Sequence, residues 1–367
     1  MYPRKKSPDF LLFMATVMLL SIGIIMVYSA SQVTAAERLD DTFYYLKKQM
    51  LWAIIGVLAM LSVMNIDYWR YKKLAAPSLI VAFVLLVAVV LPGVGKSVKG
   101  AQRWLGVGMF TFQPSEIIKL ALVLFMAWGL SRARDSIKIF SRGLLPYLVI
   151  LALACGLILL QPDLGTAVAA AGTVYVMFFA AGARGKHLSY LALSGLGAVG
   201  LAIALEPYRL KRFLAFLNPW ADPLGSGFHI IQALYALGSG GLFGAGLGKS
   251  HQKYFYLPEQ HTDFIFAVLG EELGFIGGAL VILLFILFIW RGFKIALCSQ
   301  DPFASLLAVG ITSMIGLQAV INIGVVTSSL PITGIPLPLL SFGGSSLVFT
   351  LIGIGILLNI SRYITSR

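Results

Sequence analysis

The stretch FLLFMATVMLLSIGIIMVY, residues 10–28, contains no charged side chain and follows the basic residues Arg4, Lys5 and Lys6. A helix of this length crosses the ~30 Å hydrocarbon core of a lipid bilayer. The stretch is also longer than the ~7–15 apolar residues of a secretory signal peptide. We therefore interpret it as a retained first transmembrane helix.

Comparable apolar runs recur along the rest of the 367-residue chain. Only 12% of the residues are charged, about half of the ~25% that is usual for a soluble domain. The chain therefore predicts an all-α, polytopic integral membrane protein of about ten transmembrane helices, with residues 1–367 as a single transmembrane domain. The predicted spans are 10–30, 49–66, 74–93, 114–131, 144–161, 164–183, 187–205, 264–290, 303–326 and 346–360.

The net charge of +13 comes largely from short basic runs between the spans, such as Arg70-Tyr71-Lys72-Lys73 and Arg132-Ala133-Arg134. This pattern is typical of cytoplasmic loops and argues against nucleic-acid binding. Ten spans place both termini on one side of the membrane. The loops on that side hold about 16 Lys and Arg in roughly 50 residues, against about 11 in roughly 120 residues opposite. We therefore expect both termini to be cytoplasmic.

Three long segments then lie outside the cytoplasm, at residues 94–113, 206–263 and 327–345. The loop 206–263, between helices 7 and 8, carries many charged residues, and we expect it to carry the reactive site. The segment 327–345 is uncharged and rich in Pro and Gly. Such a sequence between two spans predicts backbone that re-enters the membrane beside a cavity, where protein or water satisfies its polar groups.

Glu116 and Lys119 are ionisable residues inside a predicted span, where a charge is costly and indicates function by default. Their spacing of three places them on one helix face, close enough to pair. The pair either holds helices together or lines a polar cavity in which Lys119 meets an anionic substrate. The sequence alone leaves these two interpretations about equal.

Asp263 opens the eighth span, where Asp is a favoured helix N-cap residue. An ionised carboxylate at a helix end near the membrane surface would also serve as a general base. Asp163 follows Gln161-Pro162 and has the same N-cap interpretation. Glu271 and Glu272 lie within the eighth span, and at least one of them must face protein or water.

Two further patterns carry no chemistry. The histidines of the external loop, His229, His251 and His261, have spacings that match no zinc site, so we predict no metal centre there. Residues 244–250 imitate a phosphate-binding P-loop, but the first glycine of that motif falls on Phe243 and no strand precedes it. These glycines instead predict a segment that lies close against the membrane or the helix bundle.

Seven motifs follow one another along essentially the whole chain: KGAQRWL (99–105), FQPSE (112–116), QPDLGT (161–166), DPLGSG (222–227), HTDFIF (261–266), EELG (271–274) and SFGGS (341–345). With these motifs the chain resembles the SEDS family (shape, elongation, division and sporulation), which includes FtsW, RodA and SpoVE. Within the family it is most similar to the FtsW/SpoVE branch, particularly at Asn218-Pro219-Trp220 and residues 358–363.

The resemblance implies a ten-helix bacterial cell-membrane protein with peptidoglycan glycosyltransferase activity on lipid II, for division or sporulation, working with a class B penicillin-binding protein. Asp263 matches the essential aspartate of the family, which implies a catalytic base that also caps the helix. Glu116 and Lys119 match the buried pair of the family, and Arg103 matches a basic position of the second external loop.

We further expect Arg209, Lys211 and Arg212 to help bind the pyrophosphate of the substrate. A Mg²⁺ or Mn²⁺ ion at that pyrophosphate is compatible with the sequence, but no ligand set requires one. The alternative function is a transporter that flips lipid II across the membrane. Such a protein would not need Asp263 as a base. It would need a polar cluster on the cytoplasmic side, and the sequence offers none comparable.

Overall fold

The computed structural model describes residues 5–98, 101–107, 110–254 and 256–364. Arg4 of the first basic run, and Lys99 and Gly100 of the KGAQRWL motif, lie outside the described residues.

Each of the ten predicted spans contains a helix. Among the described residues, nine helices are long and apolar enough to cross a membrane, and one further apolar helix, α6, is shorter. The prediction of an all-α polytopic protein is therefore confirmed. The ten helices are α1 (Phe10–Leu39), α2 (Tyr44–Asn65), α3 (Tyr71–Val90), α4 (Pro114–Ala133), α5 (Leu145–Leu159), α6 (Leu164–Ala180), α7 (Gly185–Ala204), α10 (Ile265–Cys298), α11 (Pro302–Val326) and α12 (Gly344–Ser361).

Aspartates fix the first residues of three of these helices. Asp9 accepts a hydrogen bond from the backbone N–H of Leu12 at the start of α1, and Asp301 accepts one from Phe303 at the start of α11. Asp163 does the same for Thr166 at the start of α6, so its predicted role as an N-cap is confirmed. Each carboxylate satisfies an N–H that has no partner within its own helix.

Helices α4 and α11 lie at the centre of the bundle and are mostly buried. Helix α11 packs against α4, α6 and α10, whereas α12 packs along α2. Helix α7 is the most peripheral span, because only Leu188 is buried along its length. Glu116 and Lys119 of α4 are therefore enclosed by other helices and not by lipid.

The first and last described residues lie at the same end of the bundle. The backbone N–H of Lys6 donates to the carbonyl of Arg362 at 3.0 Å, and the ammonium of Lys5 lies 2.6 Å from the carboxylate of Asp67 in the α2–α3 connection. Arg291, near the end of α10, pairs with Asp9 at the start of α1. Ion pairs and backbone contacts thus join the first and last residues described at one membrane surface.

The segment 94–113, between α3 and α4, contains a small antiparallel sheet that the sequence did not predict. Its strands are β1 (Lys96–Val98), β2 (Ala101–Val107) and β3 (Phe110–Phe112), in the order β1-β2-β3. Lys96 is paired with Trp104, and Leu105 with Phe112. The sheet leads directly into α4 and holds Arg103 on its central strand.

The loop between α7 and α10 contains two further helices, α8 (Pro207–Leu217) and α9 (Phe228–Ser239). Helix α8 packs mainly against α7, and α9 packs mainly against α10. A glycine-rich loop, residues 240–253, then returns the chain to the side of α10 before Asp263 is reached.

Candidate functional site

Asp263 lies one residue before the N-cap of helix α10. The helix begins at Ile265 with Phe264 as its N-cap residue, so the expectation that Asp263 itself occupies the N-cap position is wrong. The preceding turn explains the shift, because the N–H of Phe264 donates to the carbonyl of Glu259 and the helix starts only after that turn closes. The Asp263 side chain is half-buried. It can therefore meet both protein and a substrate.

Asn322 of α11 holds the backbone at Asp263. Its buried side-chain amide donates to the carbonyl of Asp263 and to that of Ile335, both at 2.8 Å. One side chain thus ties Asp263 to the apolar segment 327–343, the connection between α11 and α12. Sequence reasoning missed Asn322, whose only signal is its position as a polar residue inside a predicted span.

The apolar segment 327–343 enters the helix bundle, as its composition predicted. Ile335, Leu337, Leu339 and Leu340 are all buried. The Ser341 hydroxyl accepts from the N–H of Leu337 at 2.8 Å and donates to the carbonyl of Thr262 at 2.6 Å. Protein groups therefore satisfy backbone that would be costly in lipid.

This segment also contacts the carboxylate of Asp263 and the start of α6. A methyl group placed on Gly334, where φ is +76°, would lie 3.6 Å from Oδ2 of Asp263. A methyl group on Gly165 of α6 would lie 2.8 Å from the carbonyl oxygen of Thr333, so no side chain fits between α6 and the segment. Residues 333–335 thus separate Asp263 from the N-terminus of α6 by a single layer of backbone.

Arg103 contacts the turn that precedes α6. Its guanidinium donates to the carbonyl of Gln161 at 2.7 Å and to that of Pro162 at 2.6 Å, and it lies 3.9 Å from the carboxylate of Asp163. These two hydrogen bonds leave three of the five N–H groups of an arginine for another partner. Arg103 is therefore oriented by the 161–163 turn and is partly exposed beside it.

Glu116 and Lys119 form the expected buried pair. The ammonium lies 2.8 Å from the carboxylate, and both side chains are almost fully excluded from solvent. The α4 helix that carries them is tied to the same region through Gln113, whose side-chain amide contacts Asp163 at 3.4 Å. The geometry is compatible with both earlier interpretations, a structural pair and a substrate-binding lysine.

The three cations of α8 have different surroundings. Arg209 donates to the carbonyl of Ala202 at the end of α7, and Arg212 lies 4.4 Å above the Tyr208 ring. Hydrogen bonds from Ser226 hold the pKa of Asp222 below its ordinary value, and the nearby charge of Lys211 adds to that effect. These contacts belong to the α7–α8 corner and the turn that follows it. The structure therefore places Asp263 against the segment 327–343, links Arg103 and Gln113 to the 161–163 turn, and places the α8 cations at the α7–α8 corner.

Glu271 and Glu272 both face protein, as the cost of charge in lipid required. Glu272 accepts hydrogen bonds from the Ser29 hydroxyl at 2.6 Å, and the Lys253 ammonium lies 3.5 Å away. Glu271 accepts from the Ser250 hydroxyl at 2.5 Å and from the N–H of His251 at 2.8 Å. The two carboxylates thus anchor the glycine-rich loop 240–253 to the first part of α10.

Helix α10 is broken at Gly274, where φ is +67° and ψ is −166°. The glycine-rich loop supplies the hydrogen bonds that the break removes. The N–H groups of Ala245 and Gly246 donate to the carbonyls of Glu271 and Glu272, at 2.9 and 3.0 Å. The P-loop-like glycines therefore allow close approach to the bundle, as predicted, and they support the half-helix whose first turn follows Asp263.

Chemically, the site offers one half-buried carboxylate, an oriented guanidinium and a buried ammonium in a region shielded from lipid. Among the described residues, no group of three or more His, Cys, Asp or Glu side chains has the arrangement of a metal site. Such a set suits proton abstraction by Asp263 and attraction of an anionic group by the cations.

Comparisons with known proteins match nearly the whole chain. A family model described as a cell cycle protein, that of FtsW, RodA and SpoVE, matches residues 10–366. Stage V sporulation protein E of Bacillus subtilis (strain 168) is 55% identical over 364 residues, which cover 99% of both chains. The probable peptidoglycan glycosyltransferase FtsW of Trichlorobacter lovleyi is 48% identical over 356 residues, which cover 96% of this chain and 93% of that one.

A solved structure gives the same result for the fold. One chain from a study of polymerization and crosslinking by a peptidoglycan synthase complex superposes with a TM-score of 0.78 at 30% sequence identity. The match covers 97% of this chain and 98% of that chain. The family model, the relatives and the solved fold agree along nearly the full length. The chain therefore belongs to the SEDS family of FtsW, RodA and SpoVE.

Proposed function

We propose that this protein is a peptidoglycan glycosyltransferase that polymerises glycan strands from lipid II for division or sporulation. The observation that carries the proposal is Asp263, held by Asn322 just before α10 and next to the segment 327–343. The glycosyltransferase name of a relative that is 48% identical supports it. The residues 1–367 act as one transmembrane domain, and the loop 206–263 ends at the catalytic carboxylate.

In this mechanism Asp263 removes the proton from the C4 hydroxyl of the acceptor N-acetylglucosamine. The oxygen then attacks C1 of the donor N-acetylmuramic acid, and undecaprenyl pyrophosphate leaves. An α-linked donor and a β-linked product require inversion by a single displacement. One carboxylate base is then sufficient, because the pyrophosphate is a good leaving group and needs no acid of the kind found in inverting hydrolases.

The cations near Asp263 stabilise the negative charge that develops on the pyrophosphate. Arg103 presents its remaining N–H groups at the surface of the 161–163 turn, and Lys119 lies deeper, paired with Glu116. Arg209, Lys211 and Arg212 attract the anionic head group to the membrane surface from α8. A Mg²⁺ or Mn²⁺ ion at the pyrophosphate would neutralise charge on the leaving group in the same way.

The protein works in the bacterial cell membrane with a class B penicillin-binding protein. In support, the similar solved chain comes from a complex that coordinates polymerization and crosslinking. Both termini face the cytoplasm, because the end of the bundle that holds them carries most of the basic loops. Asp263 then faces the outside, where glycan strands are assembled.

A lipid II flippase is the competing function. The buried Glu116–Lys119 pair and the re-entrant segment 327–343 favour it, because transporters place ion pairs and broken backbone near the middle of the membrane. It would give Asp263 no chemical role.

The two functions separate in one reconstituted system. Purified protein in vesicles is supplied with lipid II, alone and together with its class B partner, and both glycan strands and lipid II translocation are measured. We expect glycan strands, with or without stimulation by the partner. Translocation without any glycan product would contradict the proposal and support the flippase.

A further inference from the structure

A cavity of about 500 Å³ opens at the end of the bundle that holds the termini. Its walls are the last turn of α4, the end of α6, and the first turns of α3 and α11. Ser305 of α11 lines the cavity, whereas Asn322 of the same helix binds the backbone of Asp263. Seventeen helical residues separate them, so the cavity lies about 25 Å from the proposed site along that helix.

Two basic runs of the sequence meet at this cavity, and the proposed function uses neither. Lys72 comes from the run before α3, and Arg132 comes from the end of α4. The Lys72 ammonium lies 2.9 Å from Asp301, which also accepts a hydrogen bond from the N–H of Phe303. The charge of Asp301 is thus already compensated.

Arg132 supplies the remaining positive charge. Its guanidinium carbon lies 4.4 Å from the centre of the Trp128 ring, a cation–π distance that orients the group over the cavity wall. The side chain is exposed. Among the described residues no carboxylate forms an ion pair with Arg132, so the cavity has a net charge of about +1.

The lining combines this charged rim with an apolar wall. Ser131 and Ser305 lie with Arg132 at the rim, and Leu130, Leu306 and Ala180 form apolar parts of the wall. The volume lies within the ~300–1,000 Å³ of typical small-ligand sites. Basic pockets between transmembrane helices at a membrane surface suit phospholipid head groups.

We propose that this cavity binds the phosphodiester head group of an anionic membrane phospholipid, with Arg132 on the phosphate oxygens. A phosphodiester carries one negative charge, which matches the net charge of the rim. Inorganic phosphate shares the phosphate chemistry, but it has no glycerol or acyl group to cover the apolar wall. A bound head group would bridge α4 and α11, the two central helices of the bundle.

The test measures bound lipid on the full-length protein. Wild type and Arg132→Gln are reconstituted in bilayers of phosphatidylcholine and phosphatidylglycerol, extracted gently and examined by native mass spectrometry. We expect the variant to bind phosphatidylglycerol about five-fold more weakly, the effect of one basic residue at a membrane surface. Arg142→Gln, an exposed arginine at the same end of the bundle and outside the cavity, should bind like wild type.

A second variant tests whether binding needs the space of the cavity as well as its positive charge. Ala181→Leu fills the cavity and keeps both cations, and it should also reduce binding of phosphatidylglycerol. Because a ligand that binds only the folded state stabilises it, phosphatidylglycerol should raise the unfolding temperature of wild type more than that of either variant.

Three results would overturn the proposal. Wild type and Arg132→Gln could bind phosphatidylglycerol equally, or Arg142→Gln could lose as much binding as Arg132→Gln. Inorganic phosphate could displace phosphatidylglycerol completely at matched concentration, which would make free phosphate the ligand in place of a lipid.

Discussion

Replacing Gly274 with alanine should destabilise the protein and release the glycine-rich loop 240–253 from α10. At φ +67° and ψ −166° the backbone occupies a region that is essentially restricted to glycine. An added Cβ would lie 2.3 Å from the N atom of Gly244 and 2.6 Å from the carbonyl oxygen of Leu242. Both are backbone atoms, so a side-chain rotation cannot relieve the contact.

The magnitude follows from two contributions. The backbone conformation itself costs a non-glycine residue about 1–3 kcal/mol. Movement of the loop also breaks hydrogen bonds to the carbonyls of Glu271 and Glu272 and from the N–H groups of Phe275 and Ile276, each worth about 0.5–1.5 kcal/mol. We expect the free energy of unfolding to fall by at least about 3 kcal/mol, and by up to about 9 kcal/mol where all four bonds are lost.

Gly278→Ala is the matched control, four residues further along the same helix. There an added Cβ would meet only Cζ of Phe266 at 3.6 Å, an ordinary contact, and alanine favours the helix by about 0.5–1 kcal/mol. Equilibrium unfolding in mixed detergent micelles, with limited proteolysis of residues 240–253, compares the two variants. Equal stability of Gly274→Ala and Gly278→Ala would refute the reasoning.

Three further predictions concern the ion pair, the Asp263 backbone and a surface turn. Lys119→Met alone should lower the free energy of unfolding by about 3–5 kcal/mol, because it leaves Glu116 buried and unpaired. Adding Glu116→Gln should restore most of that free energy. Restored stability without glycan synthesis would assign the pair to substrate binding. Asn322→Leu should lower kcat more than it raises KM for lipid II, since it releases the backbone at Asp263, and unchanged kcat would contradict that role. The backbone N–H of Ser226 holds the pKa of Asp222 below its ordinary 3.8. The stability that this turn contributes should therefore be present above pH 3.8 and be lost as the pH falls through the lowered pKa. An NMR titration of the Ser226 amide with a midpoint at or above 3.8 would contradict this prediction.

The transmembrane helices could be predicted because lipid imposes one strong constraint. A span must satisfy all of its backbone groups internally, so an uncharged run of sufficient length such as residues 10–28 leaves few alternatives to a helix. The re-entrant segment 327–343 was predictable for the same reason, since its composition is apolar but its prolines and glycines exclude a helix. The buried positions of Glu271 and Glu272 also followed from the cost of charge in lipid.

Other features depend on contacts between residues distant in sequence. The small sheet at residues 96–112 forms from short strands with no strong alternating pattern. Helix α10 begins after Asp263, and not at it, because the 259–264 turn and Asn322 fix the backbone there. The preference of Asp for the N-cap position is a local property and does not include such contacts. The break at Gly274 is stabilised by a loop that begins more than 30 residues earlier.

The proposed mechanism depends on Asp263 as the base of a glycan polymerase. Its most direct test compares wild type, Asp263→Asn and Asp41→Asn in glycan synthesis from purified lipid II, at matched folding and with the class B partner present. Asp41 is an exposed aspartate of the α1–α2 connection, paired with Lys47, so it controls for loss of one carboxylate. We expect glycan strands from wild type and from Asp41→Asn, and none from Asp263→Asn. Glycan synthesis by Asp263→Asn at the wild-type rate would contradict it.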